Sequence, residues 1–212
     1  AVVEPSGNWG THTTVQAAIT ALANNGAHRV IFIYDGTYNE NLVIPSGDTT
    51  IYHLVGCGPM RADGKNTAGI GTQPLLAVTV NGGAGVALTW SSAVINSQLL
   101  VEGIRFKSTS ASGAVSIGRG SFRAVECIFD GSLISSGIGG AAPDELYLEN
   151  CSVLAGAVTQ TALNVGPLEG VIRGCFFSGA AIIGGGSSTG NGIRVIDNTF
   201  LASTAGAGTS VV

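Results

Sequence analysis

The chain has 212 residues and a formal net charge of −4, and only 10% of it is charged, against roughly 25% in ordinary soluble domains. Its 9 Lys and Arg are scattered, which excludes a nucleic-acid surface, since that needs clustered positive charge. No charged side chain stands between Lys65 and Glu102, but the run is full of Gly, Asn, Ser, Thr and Gln, and so is not a membrane span.

Residues 1–26 are read as an N-terminal segment with a capping helix. Thr11-His-Thr-Thr-Val-Gln-Ala-Ala-Ile-Thr-Ala-Leu-Ala23 places Val15, Ala18, Ile19 and Leu22 at helical spacing behind Thr caps, so a helix is predicted over 13–24, stopped by Asn24-Asn-Gly26. The chain opens on Ala1, which fits initiator removal or a cut-out fragment, and no signal peptide or transit segment is expected.

From residue 27 to residue 200 a unit of about 23 residues recurs. Its clearest phrase is Val101-Glu-Gly-Ile-Arg-Phe106, followed by Ala124-Val-Glu-Cys-Ile-Phe129, Leu148-Glu-Asn-Cys-Ser-Val153, Ile172-Arg-Gly-Cys-Phe-Phe177 and Val195-Ile-Asp-Asn-Thr-Phe200. Stepping back lands on Ala77, Leu54 and Val30, read as degenerate copies. The first, fourth and sixth positions are apolar or small, as are Leu99, Phe122, Leu146 and Ile193 two residues upstream, so each copy is two short strands. The third position, Gly, Glu, Asn, Gly and Asp, suits a bend through left-handed backbone. Such a unit cannot bury its apolar side alone and must stack on its neighbours. The prediction is an all-β, single-stranded, right-handed parallel β-helix of about eight coils, one domain spanning 1–212. The helix plugs its N-terminal edge, which would otherwise invite aggregation.

On this reading Cys127, Cys151 and Cys175 share one inward column with Ile104 and Asn198, and Cys57 holds the same place earlier. Ladder neighbours point the same way, poor geometry for a disulfide, so reduced buried thiols are expected.

Thr14-Val-Gln-Ala-Ala-Ile19, paired with Gly36-Thr-Tyr-Asn-Glu40 and Leu42-Val-Ile44, resembles the N-terminal end of pectin methylesterases, in the pectin-lyase-like superfamily; many non-esterase β-helices, phage tail proteins among them, open similarly. Val101 to Ser108, with Ser108 in place of an Asn, and Gly113-Ala-Val-Ser-Ile117 followed by Phe122 to Gly131 are similar to later segments of that family. The resemblance implies two Asp residues oriented by Gln and Arg, one acid and one nucleophile. The first Asp would fall within Ser132-Leu-Ile-Ser135 and the second on Thr159, while Gly113 stands where the Gln is needed. The scaffold is thus expected without the catalytic residues.

Other chemistry finds no better footing. The close acidic pair Asp144-Glu145 points to opposite faces of a strand, and Glu102, Glu126, Glu149 and Asp197 read as solvated bend residues. His12, His28 and His53 lack a nucleophile partner. No catalytic, cofactor or metal residues are assigned.

The second and fifth phrase residues face outward, and Val125, Ile128, Phe176 and Ile196 among them are too apolar for a solvated sheet. They form the candidate oligomer interface, with a homotrimer as first choice. Residues 201–212 form a tail without a cap, so the C-terminal end is expected to be covered by more chain or by a partner. These readings favour a non-enzymatic structural or adhesive module of a virus (phage) particle, such as a tail spike, fibre or capsid decoration protein, at the virion or another extracellular surface. Its partners would be copies of itself, other virion proteins and a surface glycan, with no nucleic acid and no membrane insertion. The alternative is a secreted carbohydrate-active enzyme with a non-standard site.

Overall fold

The computed structural model describes residues 1–6, 10–23, 28–45, 51–58, 76–90, 97–110, 113–117, 120–131, 133–135, 144–154, 158–160, 168–178 and 193–201. Alternation makes strands of these residues and left-handed corners turn the strands into coils. Gln98–Glu102 sends Leu99 and Val101 inward, and Ile104–Lys107 sends Ile104 and Phe106 inward, all fully buried. Between these strands Gly103 has φ +64°, and Glu126, Asn150, Gly174 and Asp197 repeat the turn with φ of 52°, 53°, 63° and 52°. Every phrase therefore turns its corner at its third residue. Glu126 is the least suited of the five, since a left-handed conformation costs an ordinary L-residue about 1–2 kcal/mol.

Copies stack in parallel register. Val101, Ala124, Leu148, Ile172 and Val195 are successive partners in one sheet. Tyr38, Val80, Phe106, Phe129, Val153, Phe177 and Phe200 are successive partners in a second. Phe106 stacks on Phe129 with ring centroids 6.0 Å apart, and Phe177 on Phe200 at 4.8 Å. The first sheet has eight strands, Val2–Val3, His28–Tyr34, Ile51–Cys57, Gln98–Glu102, Ser121–Val125, Asp144–Glu149, Leu168–Arg173 and Ile193–Ile196. The second has seven, beginning at Gly36–Tyr38 and ending at Thr199–Leu201; the third has five, from Leu42–Ile44 to Val158–Gln160. One hydrophobic core runs between the sheets. The chain is an all-β parallel solenoid with one short helix.

Three details of register differ from the sequence reading. The copy at Leu54 has no left-handed corner at Gly56: the strand runs on to Cys57, which pairs with Tyr34 and is half-buried rather than one of the buried thiols. Ala77 opens no coil: Leu54 pairs directly with Val101 in the first sheet, and Val78–Asn81 belongs to the second. The physical reason is Thr79, a β-branched residue at the place where a left-handed corner is required. Gln98–Glu102 is thus the neighbour of Ile51–Cys57 in the first sheet. Likewise Val30 does not point inward, because Phe32 stands at the corner position and the strand runs straight to Tyr34. Ile31 pairs with Leu54 and is buried, whereas Val30 pairs with His53 and faces out.

The N-terminal edge is closed by interlocking parts. The helix Val15–Leu22 buries Val15, Ala18 and Ile19, and its N-cap Thr14 accepts from the Ala17 N–H at 3.2 Å. Glu40 accepts from the Val15 and Gln16 N–H groups at 3.0 and 2.9 Å, placing a carboxylate on the positive end of the helix dipole. Gln16 behaves as a one-residue strand: its side chain accepts from the Val43 N–H at 2.7 Å and donates to the Val43 carbonyl at 3.2 Å. At the other helix end the buried Arg29 donates to the Ala23 carbonyl at 2.7 Å and lies 4.9 Å over the Tyr52 ring. Asn24-Asn-Gly26, expected to stop the helix, lies outside the described residues.

Candidate functional site

The fourth phrase position forms a bridge between coils. Cys127, Cys151 and Cys175 are free thiols, each about 1% exposed. The Cys151 thiol donates to the Ala124 carbonyl of the preceding coil at 3.5 Å, and the Cys175 sulfur accepts from the Cys151 N–H at 3.4 Å. Asn198 does the same with an amide, donating to the Ile172 carbonyl at 2.8 Å and accepting from the Cys175 N–H at 2.7 Å. In this column Cys127, Cys151 and Asn198 donate to a carbonyl of the preceding coil, and Cys175 and Asn198 accept, whereas Ile104 stands in it with an apolar side chain. Burial pushes the Cys151 thiol well above its usual range, and the hydrogen bond with Cys151 together with burial does so for Cys175, so neither supplies a thiolate. Cys57, half-buried, is also raised, chiefly by burial.

Several of the described acidic side chains are engaged in structure. Asp130 pairs with Arg105 at 2.5 Å. Glu149 lies between Arg123, at 3.4 Å, and Arg173, whose hydrogen bond is the main cause holding its carboxyl below the ordinary range. Glu102 is 3.3 Å from His53, and Glu145 accepts from the Ser121 hydroxyl at 2.9 Å. Glu126 and Asp197 sit at corners. Among the described residues no group of three or more His, Cys, Asp or Glu could hold a metal ion.

The residues of the expected interface separate onto two sheets. Val125 and Ile196 lie in the outward column Glu102, Val125, Glu149, Arg173, Ile196 of the first sheet. Ile128 and Phe176 lie in the column Arg105, Ile128, Ser152, Phe176, Thr199 of the second. They straddle the corner rather than share one plane. Val125 and Phe176 are half-buried and Ile196 is 40% exposed. Ile128 is only 2% exposed, although it lies outside the core cluster, so it is not available to a partner. Its ladder neighbour Arg105 reaches Asp130, two residues beyond Ile128 on the same face, and so lays its stem along that column.

The exposed large apolar side chains that sequence reasoning missed are Val30, Phe32, Tyr34 and Val43 on the first coil and Val195 on the last described one. In His28-Arg-Val-Ile-Phe-Ile-Tyr34 an apolar residue occupies both faces, so hydropathy alone hides which one is buried. Arg29 gives the wrong signal, because a charged residue ordinarily marks the outward face, yet it shares the buried face with Ile31 and Ile33.

The segments where the resemblance would put carboxylates are neighbours in the third sheet. Leu133–Ser135 pairs with Val158–Gln160, with Ile134 opposite Thr159. Ser132 lies outside the described residues, and Gly113 is a buried glycine with φ +88°.

No protein-family model and no curated protein matches the chain. Solved structures do. The pectin methylesterase from Aspergillus niger is 13% identical, with a TM-score of 0.47, over 99% of this chain and 91% of that one. A pectin methylesterase mutant in complex with a hexasaccharide is 15% identical, with a TM-score of 0.49, over 96% of this chain and 66% of that one. A protein of Escherichia coli is 13% identical, with a TM-score of 0.42, over 94% of this chain and 84% of that one.

Proposed function

We propose that the chain is a non-enzymatic structural or adhesive β-helix module of a virus (phage) particle, such as a tail spike, fibre or capsid decoration protein, assembling as a homotrimer with other virion proteins. The observation that carries the non-enzymatic part is the use made of the acidic side chains. Acid–base work needs a carboxylate free to exchange a proton with substrate, whereas Asp130 and Glu149 are tied to arginines and Glu40 caps the helix. The buried thiols are similarly withdrawn from nucleophilic chemistry.

The assembly part is supported by Val125, Phe176 and Ile196, apolar groups outward on coils whose other outward positions are largely ion-paired. A closed symmetric oligomer covers such a corner on every copy at once.

The test is incubation of the protein with methylated pectin and with polygalacturonate, following methanol release and unsaturated product. Neither should rise above a blank without protein. Turnover that disappears in Glu126→Gln, Asp130→Asn or Glu149→Gln would replace this reading with that of a carbohydrate-active enzyme.

A further inference from the structure

We propose that the outward row Val30, Phe32 and Tyr34 on the first coil binds a neutral carbohydrate chain. This rests on the reading of the chain as an adhesive module and deepens it by naming a site. The three side chains occupy alternate positions of one strand and are 37%, 44% and 43% exposed. Alternate residues stand about 6.6 Å apart along a strand, so the two rings make a short flat row on the pleated face. Val2 and Val55 flank Phe32 in register on either side and extend its floor.

The occupant follows from size, charge and chemistry. The row offers on the order of 250 Å² of exposed apolar surface, judged from what such side chains bury, far below the roughly 800 Å² per partner that a stable protein interface needs. A second copy of the chain is therefore a poor fit, and a ligand of one or two rings a good one. One flanking column holds Ile51, His53, Val55 and Cys57, and the charges that border the row, the Ala1 ammonium 2.9 Å from the Val30 carbonyl and the Glu102 carboxylate 3.3 Å from His53, are of opposite sign, which favours a ligand without net charge. A pyranose ring presents a C–H face that packs on the negative face of an aromatic ring, and a rim of hydroxyls that needs donors and acceptors. The Tyr34 hydroxyl and His28 border the row and can supply them.

The site is tested by titrating isotope-labelled protein with cellohexaose, maltohexaose and hexagalacturonate while following backbone amide shifts. At least one neutral hexasaccharide should move amides within His28–Tyr34 and Ile51–Cys57 first, and Phe32→Ala and Tyr34→Ala should each weaken binding at least tenfold. Both side chains are solvent-exposed, and unchanged amide spectra elsewhere check that the variants fold. Failure of both neutral probes to bind, or binding that survives both substitutions, overturns the proposal. A fall in solution mass in either variant overturns it too, by making the row a contact between copies. A wild type that binds a neutral sugar as a monomer would keep this site and refute only the trimer.

Discussion

Cys175 holds two coils together through one sulfur atom. Replacing it by Ala leaves the buried Cys151 N–H without its acceptor and opens a small cavity, for an expected loss of about 2–4 kcal/mol. Cys175→Asn should cost clearly less, because Asn198 already makes the equivalent pair of bonds one coil on. Urea unfolding of both variants checks this, and equal losses would contradict the bridge. Tyr38 carries a second residue-scale expectation. Its phenol, buried and bonded to the Tyr34 carbonyl at 2.9 Å, is pushed up from 10.0 to about 12, mainly by burial and then by the Glu4 carboxylate. The folded state thus holds this proton more tightly than the unfolded one, so its contribution is complete below pH 10 and is lost between pH 10 and about 12. Unfolding free energy measured across that window should fall more steeply in the wild type than in Tyr38→Phe, and identical slopes would refute the assignment.

At the scale of elements, the cap explains why Thr14-Val-Gln and Gly36-Thr-Tyr-Asn-Glu40 occur together. Glu40 closes the helix N-terminus, Gln16 pairs with Val43, and Gly36 allows no Cβ because Pro5 would lie 2.7 Å from it. The residues that carry the resemblance to an esterase scaffold are thus structural locks. Glu40→Ala should cost about 1–2 kcal/mol and, by loosening the plug on the first coil, raise the tendency to aggregate. Thermal melting with light scattering checks both, and a variant with unchanged melting would show that Glu40 does not hold the cap. The corners and ladders were legible in the sequence because they rest on local backbone sterics repeated five times, so even Glu126 could be placed. The copies at Ala77 and Val30 were misplaced because the period counts residues, whereas a corner needs a residue able to turn: Thr79 and Phe32 cannot. Ile128 was misjudged because face assignment by alternation says which way a side chain points and nothing of what a neighbour such as Arg105 lays along it.

For the whole molecule, the outward surfaces divide by position along the solenoid. The first coil presents an uncharged aromatic row, and the later coils present ion pairs with Val125, Phe176 and Ile196 set among them. Burying these three against a partner would contribute a few kcal/mol at about 25 cal/mol per Å², and three columns about a common axis would cover the corner symmetrically. Acid should weaken this surface from within. The Arg173 hydrogen bond holds Glu149 below the ordinary carboxylate range, so their pairing contributes above that range and is lost as pH falls through it. The most direct measurement is sedimentation equilibrium of the wild type beside a Phe176→Asp, Ile196→Asp double variant at neutral pH. The account predicts three times the chain mass for the wild type and the mass of a single chain for the variant. A wild type that stays monomeric at high concentration, or a variant of unchanged mass, would contradict it.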